Sequence, residues 1–257
     1  VVAGLTPKLH YHTTLNLFYK KVFYIWPKFQ TIENLFAYTA TASELVPLLI
    51  ALFCYRDIRN EKPLLLIPVY SALFFSSNVI DASGLITSLE YRKFFYGLVT
   101  FFEYALFSLF FYQTLGSARA RRIILLFSAL FLAFLSVHIS MVRMERIDSI
   151  PIGVETLLIL FYACYFLFEQ LNDQTVLFVY SKYQFWVTIG CMLYLSGSFF
   201  VYIFANQIPR TELLKYWFVI DIFLVVKNLC FTLALMLFIN QRRKPPVSPF
   251  STFKASY

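Results

Sequence analysis

The sequence predicts an all-α, polytopic membrane protein, a bundle of seven transmembrane helices. Three observations carry that prediction. Of 257 residues, 60% are hydrophobic and only 14% charged, with 31 Phe, 18 Tyr and a mean hydropathy of +0.68, far more apolar surface than a soluble domain of this size uses. The apolar residues fall into seven runs, at about 34–55, 63–81, 94–115, 123–142, 151–170, 183–204 and 217–239; about 20 apolar residues in a helix cross a hydrocarbon core of about 30 Å. The links between the runs are short and polar, from RDIRNEK to NQIPRTELLKY, so neighbouring helices must run antiparallel in one bundle.

The transmembrane domain spans residues 33–240. Residues 1–32, with LNLFYKKVFYIWPKF mixing basic and aromatic side chains, are read as a tail that is either an interfacial helix ending near Pro27 or an artefactual leader. Residues 241–257 form a basic, Pro-rich tail, expected to be disordered. The link before the sixth run contains TVLFVY, too short to span, which either extends a helix or lies at the interface.

A net charge of +8 in a soluble chain would suggest nucleic acid. Here the Lys and Arg gather between apolar runs, where they anchor and orient helices, and no nucleic-acid partner is expected. The clusters RDIRNEK, ARARR and QRRK fall on one side of the bundle. By the positive-inside rule that side is cytoplasmic, with the C-terminus inside and the N-terminus outside.

The cysteines, Cys54, Cys164, Cys191 and Cys230, stand inside apolar runs without CxxC spacing and read as small packing residues. His10 and His12 lie in the tail and His138 stands alone, so neither a metal site nor a cofactor is expected. Gly190 and Gly197, with Ser196 and Ser198, are read as allowing close helix approach. Pro47 and Pro68 stand within the first and second runs, where each is expected to kink its helix. The Phe and Tyr residues are taken by default as lipid-facing or interfacial.

The polar residues inside the runs mark the candidate site. Asp221 and Lys227 occupy the seventh run. An unpaired charge at that depth costs at least about 2.5 to 3.5 kcal/mol, so Lys227 needs a carboxylate, and Glu103 or Glu44 matches it in depth. Asp221 and Asn228 share a helix face, and Lys227 points about 100° from Asn228. Glu155, Tyr162 and Glu169 recur every seven residues and share another face. Tyr96, Thr100 and Glu103 form a third stripe, while Asn34, Tyr38, Thr41 and Glu44 form a fourth. In the second run Ser71 and Asn78 stand seven apart, with Asp81 at its end. Glu155, Asp221 and Asp81 stand within about a turn of a predicted end, with interfacial water and a buried site as alternative surroundings. The ligand- or ion-binding candidates are Glu44, Glu103, Glu155, Asp221, Lys227 and Asn228, biased toward the predicted outer side; none is expected to be catalytic.

The runs ETLLILFYACYFLFEQL, YQFWVTIGCMLYLSGSFFVYIF and VVKNLCFTLAL resemble a set of uncharacterised seven-span proteins of Bacteroidota-type bacteria. The resemblance lies in Glu155 opening the fifth span, Phe185–Trp186 opening the sixth, and Lys227–Asn228 in the last, and covers about residues 34–241. It implies a multi-pass protein of the bacterial inner membrane. A lysine in the seventh span also invites comparison with retinal proteins. Those of microbes carry an Asp four residues before it, where this chain has Phe223, so no chromophore is expected. The reading that follows is a sensory or signalling-associated module, not an enzyme, with the bilayer as its setting and a cytoplasmic partner such as a histidine kinase. A small ion-coupled transporter is the alternative. An intramembrane enzyme ranks lower, since the sequence shows neither GxSG nor paired Asp in a GxGD context.

Overall fold

A computed structural model describes residues 35–86, 88–141, 149–172, 178–204 and 210–243; the N-terminal tail with Asn34, the stretch TVL of TVLFVY and the C-terminal tail beyond Arg243 lie outside them, while the first three residues of that tail, 241–243, belong to the last helix. Among the described residues every regular element is helical. These are α1 (Leu35–Phe53), α2 (Tyr55–Ile58), α3 (Lys62–Ala82), α4 (Leu89–Thr114), α5 (Ala118–Met141), α6 (Ser149–Asn172), a 3₁₀ turn (Val179–Ser181), α7 (Tyr183–Phe204) and α8 (Arg210–Arg243). The seven α-helices other than the one-turn α2 are each long and apolar enough to cross a membrane, which makes the chain a multi-pass membrane protein.

Three helices extend beyond their apolar runs by four residues or more at one end. α5 begins at Ala118, so the basic ARARR sequence is its first turn rather than a loop. α4 takes in LEYRK, and α8 takes in RTELLKY and runs on to Arg243. Charged residues of high helix propensity extend a span into the aqueous boundary without cost, because hydropathy marks only the stretch in hydrocarbon. Neither proline interrupts its helix: α1 is continuous through Pro47 and α3 through Pro68. Pro63 opens α3, where its missing N–H costs nothing. Gly84 makes the turn after α3 with φ +66°, a conformation that disfavours side chains.

The outward surface is apolar. Leu125, Leu126 and Leu130 of α5 and Leu157, Phe161 and Phe168 of α6 are all more than half exposed, the pattern of a lipid-facing belt. Cys164 also faces outward, so it is no packing residue, whereas Cys191 is buried. Ser196 is exposed and bonds back to the Met192 carbonyl, whereas Ser198 is buried.

α8 packs tightly on α7 because two glycines let it. A methyl group on Gly190 would stand 2.8 Å from Cys230 Cβ and 3.2 Å from the Lys227 carbonyl oxygen; on Gly197 it would stand 2.2 Å from the Phe223 ring. The two are seven residues apart and share one helix face.

One end of the bundle is tied by polar contacts. Glu169 accepts hydrogen bonds from the Gly116 and Ser117 amides at 3.1 and 3.0 Å, fixing the turn that leads into α5, whose first turn is capped by Ser117 Oγ accepting from the Ala120 amide. Glu169→Ala is expected to lower stability by about 1–2 kcal/mol, measured by denaturant titration in detergent. At the same end Arg243 donates from Nε and Nη2 to Asp57 Oδ2, at 3.1 and 2.5 Å, and Arg242 donates to the Asp57 carbonyl. Gln241 reaches the Ser181 carbonyl at 2.7 Å. The end of α8 is thus clasped to the two loops that flank it.

Candidate functional site

The centre of the bundle holds a cluster built on Lys227, whose side chain is fully buried. Its Nζ donates to Glu44 Oε1 at 3.0 Å and to the Tyr70 hydroxyl at 3.0 Å. Tyr70 in turn donates to Glu103 Oε1 at 2.8 Å. One proton chain therefore runs from the ammonium through a phenol to a second carboxylate. Both of the carboxylates matched to Lys227 by depth are its partners, one directly and one through Tyr70. Beside it, Asn228 Nδ2 donates to Ser43 Oγ at 2.7 Å, so adjacent residues of α8 both grip α1.

Rings complete the enclosure. Lys227 Nζ lies 4.2 Å from the Tyr70 ring centroid, 4.8 Å from Tyr194, 5.3 Å from Phe74 and 5.7 Å from Phe231. Aromatic faces carry negative potential and replace part of the lost hydration. Tyr70 stacks on Phe74 at 4.2 Å and meets Phe107 at 4.9 Å, which fixes the phenol between its two partners.

The geometry explains why these residue types serve. A lone buried lysine would be prohibitive, but a hydrogen-bonded carboxylate at 3.0 Å compensates its charge. Glu44, Tyr70, Glu103, Tyr194 and Lys227 stand between about two and five turns from the ends of their helices on the side of the bundle where α3 finishes. They come from α1, α3, α4, α7 and α8, so one layer of contacts ties five spans together.

A second layer lies nearer that end. Glu155 is buried at 1% exposure, and its Oε1 has no hydrogen-bond partner among the described residues. At that burial its carboxyl is enclosed by protein, so interfacial water is not its environment. The reason is its heptad face: Tyr162, one heptad on, is also buried and bonds Tyr104, which bonds Ser128, each at 3.1 Å. Asp221 is only partly buried, and Asp81 is exposed and accepts from Tyr96 at 2.8 Å, so neither is drawn into the buried cluster. Tyr38 is 71% exposed and stands off the stripe assigned to it.

The sequence missed Tyr70 and Tyr194, which default placement assigned to the lipid face. A signal for Tyr70 was present: Tyr70, Phe74 and Ser77 recur at i, i+4 and i+7, and all three are buried. The FW pair serves as an anchor, since Trp186 Nε1 donates to the Tyr180 carbonyl at 2.9 Å and holds the 3₁₀ turn against α7. Among the described residues no three His, Cys, Asp or Glu side chains are grouped to hold a metal ion. A cavity beside Tyr70, walled by Leu66, Phe107, Phe110 and Phe231, measures about 10 Å³, about the space of one water. No family model, curated protein or solved structure matches the chain.

Proposed function

We propose that the protein is a sensory, signalling-associated membrane module in which the Lys227 cluster sets the position of α8. The supporting observation is that α8 carries both ends of the device. Lys227 and Asn228 lock its middle to α1, α3 and α4, and Gln241, Arg242 and Arg243 lock its end to the flanking loops. A rigid helix joining two polar locks transmits a change at one to the other. By the positive-inside reading the clasped end faces the cytoplasm, where a partner such as a histidine kinase would meet it. The tight packing around Lys227 favours such a switch over a route for solute.

Tyr70→Phe tests the coupling, because it removes one hydroxyl and leaves the ring packing. Hydrogen exchange followed by mass spectrometry is expected to show faster exchange in peptides covering residues 236–243 and 54–62, by about tenfold, since a net hydrogen bond to a charged group contributes about 1.5 kcal/mol. Unchanged exchange at both peptides rejects the sensory reading.

The second reading, an ion-coupled transporter, draws on the buried carboxylates Glu44 and Glu103 linked to Lys227, with a third, Glu155, buried in the same bundle. Proteoliposomes separate the two. A pH-driven solute flux abolished by Glu103→Gln supports the transporter; no flux, with altered exchange in Tyr70→Phe, supports the sensor.

A further inference from the structure

We propose that the outward face of α5 binds an anionic phospholipid, its phosphate gripped by Arg119 and Arg122 and an acyl chain lying down the apolar side of the helix into a groove at residues 133–141. The charge that opens α5 does nothing for the helix itself. Its first turn carries arginines and no acidic residue, although cations at a helix N-terminus oppose the dipole. Arg121 has an internal task, since its Nη2 donates to the Gly116 carbonyl at 2.9 Å. Arg119 and Arg122 are exposed, and among the described residues neither bonds another group. Glu169, the carboxylate at this corner, is taken by the Gly116 and Ser117 amides. Beside it Lys182, bonded to Gln170 at 2.7 Å, adds a further positive charge. The corner lacks an anion, and the chain does not supply one among the described residues.

Below the arginines the same helix face is apolar. Arg119 and Arg122 stand one turn apart on one side of α5. Ile123, Leu126, Leu130 and Val137 continue that side at spacings of three, four and seven, and all four are exposed. α5 is also the least buried of the seven spans, which leaves the stripe open to lipid. Further along it, Ala133, Phe134, Val137, His138 and Met141 line an open groove of about 390 Å³. Helical side chains lean toward the N-terminus, so both guanidiniums reach away from the stripe to headgroup level, where their planar forks fit a phosphate. Ala133 lies about 17 Å along the helix from Arg122, and one leaflet is about 15 Å deep, so the end of an acyl chain reaches the groove. Free phosphate would meet the arginines alone; a phospholipid meets charge, stripe and groove together. None of these residues belongs to the Lys227 cluster.

Native mass spectrometry of the full chain in detergent tests the site, with dioleoyl phosphatidylglycerol and dioleoyl phosphatidylcholine as probes. The unaltered chain is expected to retain a first phosphatidylglycerol at a concentration at least about tenfold below that needed for phosphatidylcholine. Arg119→Gln with Arg122→Gln should abolish that preference. Arg56→Gln with Arg59→Gln removes the same charge from the same end of the bundle, which bonds from Asp57 through Arg243, Gln241, Lys182 and Glu169 join to α5, and should change it by less than about twofold. Ala133→Trp fills the groove and should weaken dioleoyl phosphatidylglycerol by about fivefold, while dihexanoyl phosphatidylglycerol, whose chains end above the groove, should bind both proteins alike. Equal retention of the two dioleoyl lipids, absence of any lipid adduct, or the same loss in both double-arginine variants overturns the proposal. A dimer in place of the lipid-bound monomer, broken by Ala133→Trp, overturns it in favour of a second copy of the chain.

Discussion

Replacing Lys227 with Met is expected to destabilise the protein by about 3–5 kcal/mol, because it leaves Glu44 as a buried carboxylate without a counter-charge. The size of the effect comes from the orphaned partner more than from the lost pair. Two hydrogen bonds go with the ammonium, one to Glu44 Oε1 and one to Tyr70, and Glu44 Oε2 has no partner among the described residues. Neutralising both members should therefore restore most of the loss: Lys227→Met with Glu44→Gln is expected to recover more than half of it. Denaturant unfolding of the two single variants and the double variant, read as a double-mutant cycle, measures the coupling. Additive losses would show that the pair is not a unit.

The second large effect is steric. Gly197→Ala places a methyl carbon 2.2 Å from the Phe223 ring, with three ring atoms within 2.4 Å, so the ring cannot swing clear by a small rotation and the α7–α8 interface must open. Overpacking of this kind costs about 1–3 kcal/mol. In a Phe223→Ala background the same substitution should cost under about 0.5 kcal/mol, since the obstruction is gone. Gly190→Ala acts at Lys227 itself, through the 3.2 Å approach to that residue's carbonyl oxygen, and is expected to perturb the charge cluster as well as stability. Thermal unfolding in a fixed detergent compares all of these variants.

Much of the fold was legible in the sequence because a bilayer imposes a simple rule: apolar length is helix length. The runs at 63–81 and 183–204 correspond within a residue to Lys62–Ala82 and Tyr183–Phe204. What hydropathy could not mark was the charged helix beyond the hydrocarbon, hence the early start of α5 at Ala118 and the long α8. The heptad of Glu155, Tyr162 and Glu169 was legible as one face, and it holds Glu155 inward and places Glu169 on the Gly116 and Ser117 amides.

The partners of Lys227 were legible only by depth. Charge and distance along a span select Glu44 and Glu103, but rotation of each helix decides which makes direct contact. Tyr70 was hidden for a different reason. A tyrosine fits a lipid interface or a buried hydrogen bond equally well, and only the neighbouring helices α4 and α8 reveal that its hydroxyl has a donor on one side and an acceptor on the other. The two glycines were readable as sites of close approach, though what approached them was not.

The central claim is that the Lys227 cluster and the clasp at the end of α8 act as one coupled device. Electron-spin distance measurement between labels at Arg59 and Asn240, both exposed near the clasp, tests it most directly. The unaltered background should give one narrow distance distribution, and the neutralised Lys227→Met, Glu44→Gln protein, its helix content checked by circular dichroism, should give a shifted or clearly broadened one. Superimposable distributions would contradict the claim.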